Sequence, residues 1–222
     1  MGNEINATTF FKAIEKEIKE DNNINKEVRE KDFDLKKYFE NCSDTKIIIP
    51  ILQKVNEYFI KNCEIHIGKD VIIPTETEIY FKNNFFYDGM CHTNSLQTNR
   101  FGMLYFHRYY SEKSEYKDYA VDNVICSSPE KTRGGIDVCI SNGNYYLSIL
   151  IRGINKPKCK GPNLVCREIL GKENNYISRV GDLEKKFVIH ESIENKNKEI
   201  NFDKRVGGKR NFYKLNCKIK NY

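Results

Sequence analysis

Pro74-Thr75-Glu76-Thr77-Glu78-Ile79-Tyr80-Phe81 decides how this chain is read. Successive strand side chains point to opposite faces, so Glu76 and Glu78 share one face while Thr75, Thr77 and Ile79 share the other. Two carboxylates on one strand face are either solvated, or one of them sits over a pocket where a carboxylate works on water.

Working outward from this strand, Ile48, Ile51, Leu52, Val55, Tyr58 and Phe59 recur at three- and four-residue steps, which predicts one amphipathic helix from Ile47 to about Asn62. Ile65 to Ile67 and Val71 to Ile73 read as strands around a Gly68-Lys69-Asp70 turn. Residues 83–100 read as a loop of functional length, holding Tyr87, Asp88, His92, Asn94, Gln97 and Asn99. A short aromatic strand follows over Gly102 to Tyr110. Ile136 to Ser141 and Tyr145 to Arg152 form a hairpin, because Asn142-Gly143-Asn144 tolerates positive φ. Gly161-Pro162 opens a helix that runs to Leu170, with Pro at an early position where its missing N–H costs little. Ser178 to Lys185 suggests a further short helix, and Phe187 to Glu191 and Phe212 to Ile219 read as closing strands.

These elements predict an α+β fold: a single domain, residues 47–222, with a curved, mostly antiparallel sheet and short helices. Residues 1–46, rich in Asn, Lys and Glu, read as a charged helical appendage or connector. Within them Phe10, Phe11, Ile14 and Ile18 fall at helical spacing, with Thr8 or Thr9 as cap.

The chain is 222 residues long with 39% hydrophobic residues, enough for a sizeable core. Eight cysteines are scattered without a C-x-x-C pair or recurrent zinc-ligand spacing, so free thiols are expected, with no metal and no cofactor. No apolar run reaches the ~18 residues of a membrane span and the N-terminal segment lacks a signal-peptide core. The expectation is an intracellular monomer, in the cytoplasm or the nucleus or nucleoid, without membrane contact. Net charge is +6, and residues 201–222 carry seven basic residues against Asp203 alone, which is the whole excess. With Phe202, Phe212, Tyr213 and Tyr222 interleaved, this tail fits either a polyanion-binding surface or a solvated basic strand.

Four islands, in order, resemble the alkyladenine (methylpurine, 3-methyladenine) DNA glycosylase family. They are Glu76-Thr77-Glu78-Ile79-Tyr80 with His92 downstream, Ile136-Asp137-Val138 leading to Leu150-Ile151-Arg152, Gly161-Pro162-Asn163-Leu164-Val165-Cys166, and Arg205-Val206-Gly207 before Phe212-Tyr213. Together they cover roughly residues 48–220. The resemblance implies that Glu78 is the general base that prepares water for attack on the anomeric carbon of a flipped nucleotide. It implies that Tyr80 stacks on the base, that His92 bonds the sugar-phosphate or the water, and that Arg152 orders the water or holds the carboxylate. Asp137 falls where the family commonly has a purine-screening Asn, and its charge would repel that of Glu78. Tyr80, Tyr87, Phe106 and Tyr109 are candidates to line the pocket, and Tyr109, Tyr110 and Tyr119 to intercalate.

The partner implied is double-stranded DNA with a flipped base, its backbone met by Lys158, Lys160, Lys204, Arg205, Lys209 and Arg210. Lys156, Lys158 and Lys160 precede a helix N-terminus, where the dipole favours an anion. His107-Arg108 reads as a phosphate-contacting pair or simply as a polar strand face, and His66 and His190 as packed or surface residues. Arg152 ends an apolar run and so meets solvent or a carboxylate, Glu78 or Asp137, a link that would serve even a non-catalytic nucleic-acid-binding module of the same fold.

Overall fold

The computed structural model describes residues 2–29, 32–91, 97, 100–107, 135–170, 182–205 and 215–220. Their helices are α1 (Ala7–Glu20), α2 (Leu35–Asn41), α3 (Thr45–Asn62) and α4 (Pro162–Leu170). Their strands are β1 (Cys63–Ile67), β2 (Asp70–Ile72), β3 (Pro74–Lys82), β4 (Leu104–Phe106), β5 (Ile136–Cys139), β6 (Tyr146–Ile154), β7 (Ile189–Glu191), β8 (Ile200–Asp203) and β9 (Asn216–Ile219). A six-stranded sheet in the order β4-β5-β6-β3-β9-β8 is antiparallel throughout, and a second antiparallel sheet runs β2-β1-β7. The fold is α+β, as expected, and among the described residues no helix is long and apolar enough to cross a membrane.

One face of the large sheet is apolar. Ile79, Phe81, Val138, Ile149 and Ile151 belong to the same buried core as Ile48, Ile51, Leu52, Val55 and Phe59 of α3. Each such side chain contributes about 1.5–3 kcal/mol on burial. Two asparagines close the backbone accounts inside this core. Asn56 on α3 accepts from Thr77 Oγ1 at 2.8 Å and donates to the Leu215 carbonyl at 3.1 Å, while Asn195 donates to the carbonyls of Ile60 and Pro74.

The N-terminal segment is not an appendage. Phe10, Ile14 and Ile18 are wholly buried, Phe11 nearly so, and all four join the common core, with Phe10 edge-to-face on Tyr58 of α3 at 5.4 Å. Ile24, Val28, Leu35 and Phe39 continue this layer. The Asn- and Lys-rich composition reflects the solvent side of α1 and its connections, and hides a complete apolar stripe. Asn6, rather than a threonine, caps α1, its Oδ1 accepting from Thr9 N at 3.0 Å.

Two local features shape the polar face of the sheet. The β3–β6 ladder shifts register twice near Glu76, which leaves Thr75 and Arg152 as the extra residues of bulges. A Cβ at Gly153 would sit 2.8 Å from Thr75 Oγ1, so a side chain there would force the threonine to shift. The hairpin between β5 and β6 turns with Gly143 at φ 97°, and Glu40 of α2 accepts from both Asn142 and Asn144 there. Strand β8 goes unread in the sequence, because its apolar residues Ile200 and Phe202 cover only a small cluster with Ile60, Cys217 and Ile219. His66 and His190 stack across β1 and β7 with ring centroids 3.9 Å apart.

Phe10→Ala is expected to lose about 3–5 kcal/mol in urea unfolding, in a single transition; a loss near zero would return α1 to the status of an appendage. A second expectation concerns alkaline pH. Burial pushes the thiol of Cys42 up to about 12, those of Cys63 and Cys139 well above the ordinary range, and the phenols of Tyr38, Tyr58 and Tyr145 upward too. Above the unfolded values, roughly 8.5 for Cys and 10 for Tyr, the folded chain therefore binds more protons than the unfolded one. Stability is full below about pH 8.5 and falls as pH rises through these values, which thermal melts followed by circular dichroism at pH 7 to 11 would read directly.

Candidate active site

The row Tyr105, Asp137, Leu150, Glu78, Asn216 and Asp203 runs across six strands with its side chains on the face away from α3. Glu78 lies in the middle of this row and is wholly buried. A buried carboxylate requires partners, and three donors converge on it. Tyr80 Oη donates to Glu78 Oε2 at 2.6 Å, Arg152 Nη1 stands 3.4 Å from Oε1, and Asn216 Nδ2 donates to Oε1 at 3.4 Å. Arg152 Nε and Asn216 Nδ2 also donate to Glu76 Oε1, at 3.1 and 2.9 Å. Both residues therefore straddle the two carboxylates that alternation put on one face. Burial first, then the adjacent Glu78, pushes the Tyr80 phenol well above its ordinary value, so Tyr80 stays protonated and serves as a hydrogen-bond donor to Glu78.

Arg205 corrects the expected set of backbone contacts. It is 4% exposed and forks onto Asp88, Nη1 to Oδ2 at 2.6 Å and Nη2 to Oδ1 at 3.1 Å, while Nη1 also donates to the Ile79 carbonyl. Its guanidinium covers the Tyr80 ring at 4.5 Å. Burial opposes the charge of Arg205, and the Asp88 carboxylate outweighs it, raising the pKa. A basic tail read by its charge alone counts this arginine as solvated; the signal for its partner was a single aspartate in a polar loop.

Asp137 is also buried, one strand beyond β6 from Glu78, about 10 Å away by strand spacing. It accepts from Gln97 Nε2 at 3.0 Å, His107 Nε2 at 3.0 Å and Ser148 Oγ at 3.1 Å. Its charge also raises the Tyr80 phenol, which links the two acidic centres electrostatically. His107 thus belongs to the polar face as a partner of Asp137, a role its neighbours in sequence did not mark.

Glu78 is brought into contact with Tyr80 and Arg152, whereas Asp137 stands two strands over with partners of its own. His92, Tyr109, Tyr110, Tyr119, Arg108, Lys209 and Arg210 lie outside the described residues. Phe106 is withdrawn from the pocket, since it packs in the apolar core, and Tyr87 is 68% exposed. Lys156, Lys158, Lys160 and Lys204 are all exposed, and Lys156 pairs with Glu168 at 2.6 Å. Asn216, on which two carboxylates depend, carried no signal within an Asn- and Lys-rich tail. Among the described residues no group of three or more His, Cys, Asp or Glu side chains is disposed to hold a metal ion.

Chemically, the face offers a fixed carboxylate beside a phenol and a guanidinium, and a second acidic centre holding an imidazole. No protein-family model, curated protein or solved structure matches the chain.

Arg205→Ala strands Asp88 as an unpaired buried charge and is expected to cost about 3–5 kcal/mol of unfolding free energy. Arg205→Lys, which keeps the charge and loses the fork, should recover part of that loss. A loss under about 0.5 kcal/mol for Arg205→Ala in urea titrations would mean that the side chain is solvated after all.

Proposed function

We propose that the chain is a divergent DNA glycosylase-like hydrolase that flips a modified or damaged base and cuts its N-glycosidic bond. The observation that carries this reading is the wholly buried Glu78, held by Tyr80, Arg152 and Asn216 on the polar face of the sheet. In the proposed step Glu78 takes a proton from water as the water oxygen attacks the anomeric carbon. The glycosidic bond breaks with its electron pair leaving on the base, and the carboxylate stabilises the positive charge that builds on the sugar. Arg152 and Asn216 hold Glu78 in register with Glu76, and Tyr80 offers its ring edge and a donated proton rather than a charge. Flipping costs a few kcal/mol, offset by stacking and cationic phosphate contacts, for which Lys158, Lys160 and Lys204 are the described candidates.

The same network supports a second reading, a non-catalytic nucleic-acid-binding module. Arg152 and Asn216 tie together β6, β3 and β9 through Glu76 and Glu78, a structural service that needs no substrate.

Abasic-site formation on oligonucleotides carrying alkylated, deaminated or hypermodified bases tests the first reading. The wild type should release base, and Glu78→Gln should lower the rate at least ~100-fold while remaining folded. Equal rates in the two proteins would sink the catalytic assignment. Salt-sensitive binding that survives Glu78→Gln, with no release by either protein, would favour the module.

A further inference from the structure

The segment between β3 and Cys91 displays apolar side chains on a backbone that is pinned in place. Phe85 is 62% exposed, Tyr87 68% and Met90 37%, three of the six large apolar side chains that stand exposed among the described residues. Singly exposed apolar residues are ordinary, but three within six residues on one short loop form a patch.

The backbone that carries them is held at both ends. Asn83 Nδ2 donates to the carbonyls of Phe39 and Cys42, and Asn83 Oδ1 accepts from the N–H groups of Phe85 and Phe86. Phe86 turns inward and is buried in the core. Asp88 accepts from Met90 N at 3.0 Å and is forked by Arg205. The backbone under these side chains is thus tied at Asn83, Phe86 and Asp88, which lowers its ordering cost on binding.

We infer that Phe85 and Tyr87, with Met90 at their edge, are a stacking surface for unpaired bases of a single-stranded or locally opened nucleic acid. The inference rests on the nucleic-acid partner proposed above and needs no chemistry at Glu78. Two features favour this occupant over a second copy of the chain. The Lys82 ammonium lies over the Tyr87 ring, 4.9 Å from its centroid, which holds a cation at this loop for a strand's phosphates and directs stacking to the ring's other face. Two copies at +6 each repel, whereas a polyanion is attracted. Base stacking on aromatic side chains tolerates any sequence, because every base has a π-face.

Fluorescence anisotropy tests the surface, using a labelled oligothymidylate of about 16 nucleotides and an abasic strand of the same length. Phe85→Ala and Tyr87→Ala, both at exposed positions, should stay folded and weaken oligothymidylate binding roughly ten-fold each, leaving the weaker abasic-strand binding unchanged. Unchanged affinity in both variants, with salt-sensitive binding retained, overturns the surface and leaves the partner standing. Equal wild-type affinity for the two strands overturns it too. So does a wild-type dimer in sedimentation that Tyr87→Ala dissociates, which would assign the patch to a second copy. Absence of any binding at low salt overturns this surface and the proposed function together, whereas loss of base release alone in Glu78→Gln leaves this surface intact.

Discussion

Arg152 is the residue on which the polar face of the sheet depends. Strand alternation forces Glu76 and Glu78 onto one side, and the interior position of Glu78 makes its charge costly unless a cation stands beside it. The guanidinium meets that need because its nitrogens diverge in a plane, so one side chain reaches a carboxylate oxygen on each of two residues. It occupies a bulge, where the ladder slips between Glu76 and Thr77 and Arg152 has no partner residue directly opposite. Removing the cation would take from both carboxylates the one guanidinium they share, while Asn216 and Tyr80 bring no charge.

A second layer of the same logic lies behind Tyr80. Its phenol donates to Glu78 while its ring is covered by Arg205, which Asp88 holds in turn. A neutral phenol thus stands between the Glu78 carboxylate and the Arg205 guanidinium, which Asp88 neutralises in turn. Glu78 has Arg152 within reach and Asp88 has Arg205, which is the arrangement that lets ions persist inside a protein. Asp137 follows the rule by other means, with an imidazole, an amide and a hydroxyl around it.

How much of this was legible in the sequence follows from the range of each interaction. Helix α4 begins and ends where Gly161-Pro162 and Leu170 predict, and the hairpin turns at Gly143, because caps, prolines and positive φ are settled within a few residues. The shared face of Glu76 and Glu78 is equally local. Arg205 and Asp88 are 117 residues apart, and His107 and Asp137 are 30 apart, so nothing near either partner announces the other. Composition misled where it averaged over faces. The lysines and asparagines around α1 outnumber its four buried residues, yet those four decide where the helix sits. In the basic tail, charge counting assigned Arg205 and Lys204 to one role, and burial separates them.

Gly153 gives this architecture an unusual pattern of tolerance to change. Alanine scanning normally measures what is lost when atoms are removed, and most positions on the polar face would be ranked that way. At Gly153 the informative event is the addition of one carbon, since it would meet Thr75 Oγ1 at 2.8 Å and the Glu76 Cβ at 3.2 Å, on the two residues that flank the slipped ladder. A residue with no side chain of its own thus bears on the bulged strand through the room it leaves, and a methyl group placed there would press on Thr75 and Glu76 rather than on any charged atom.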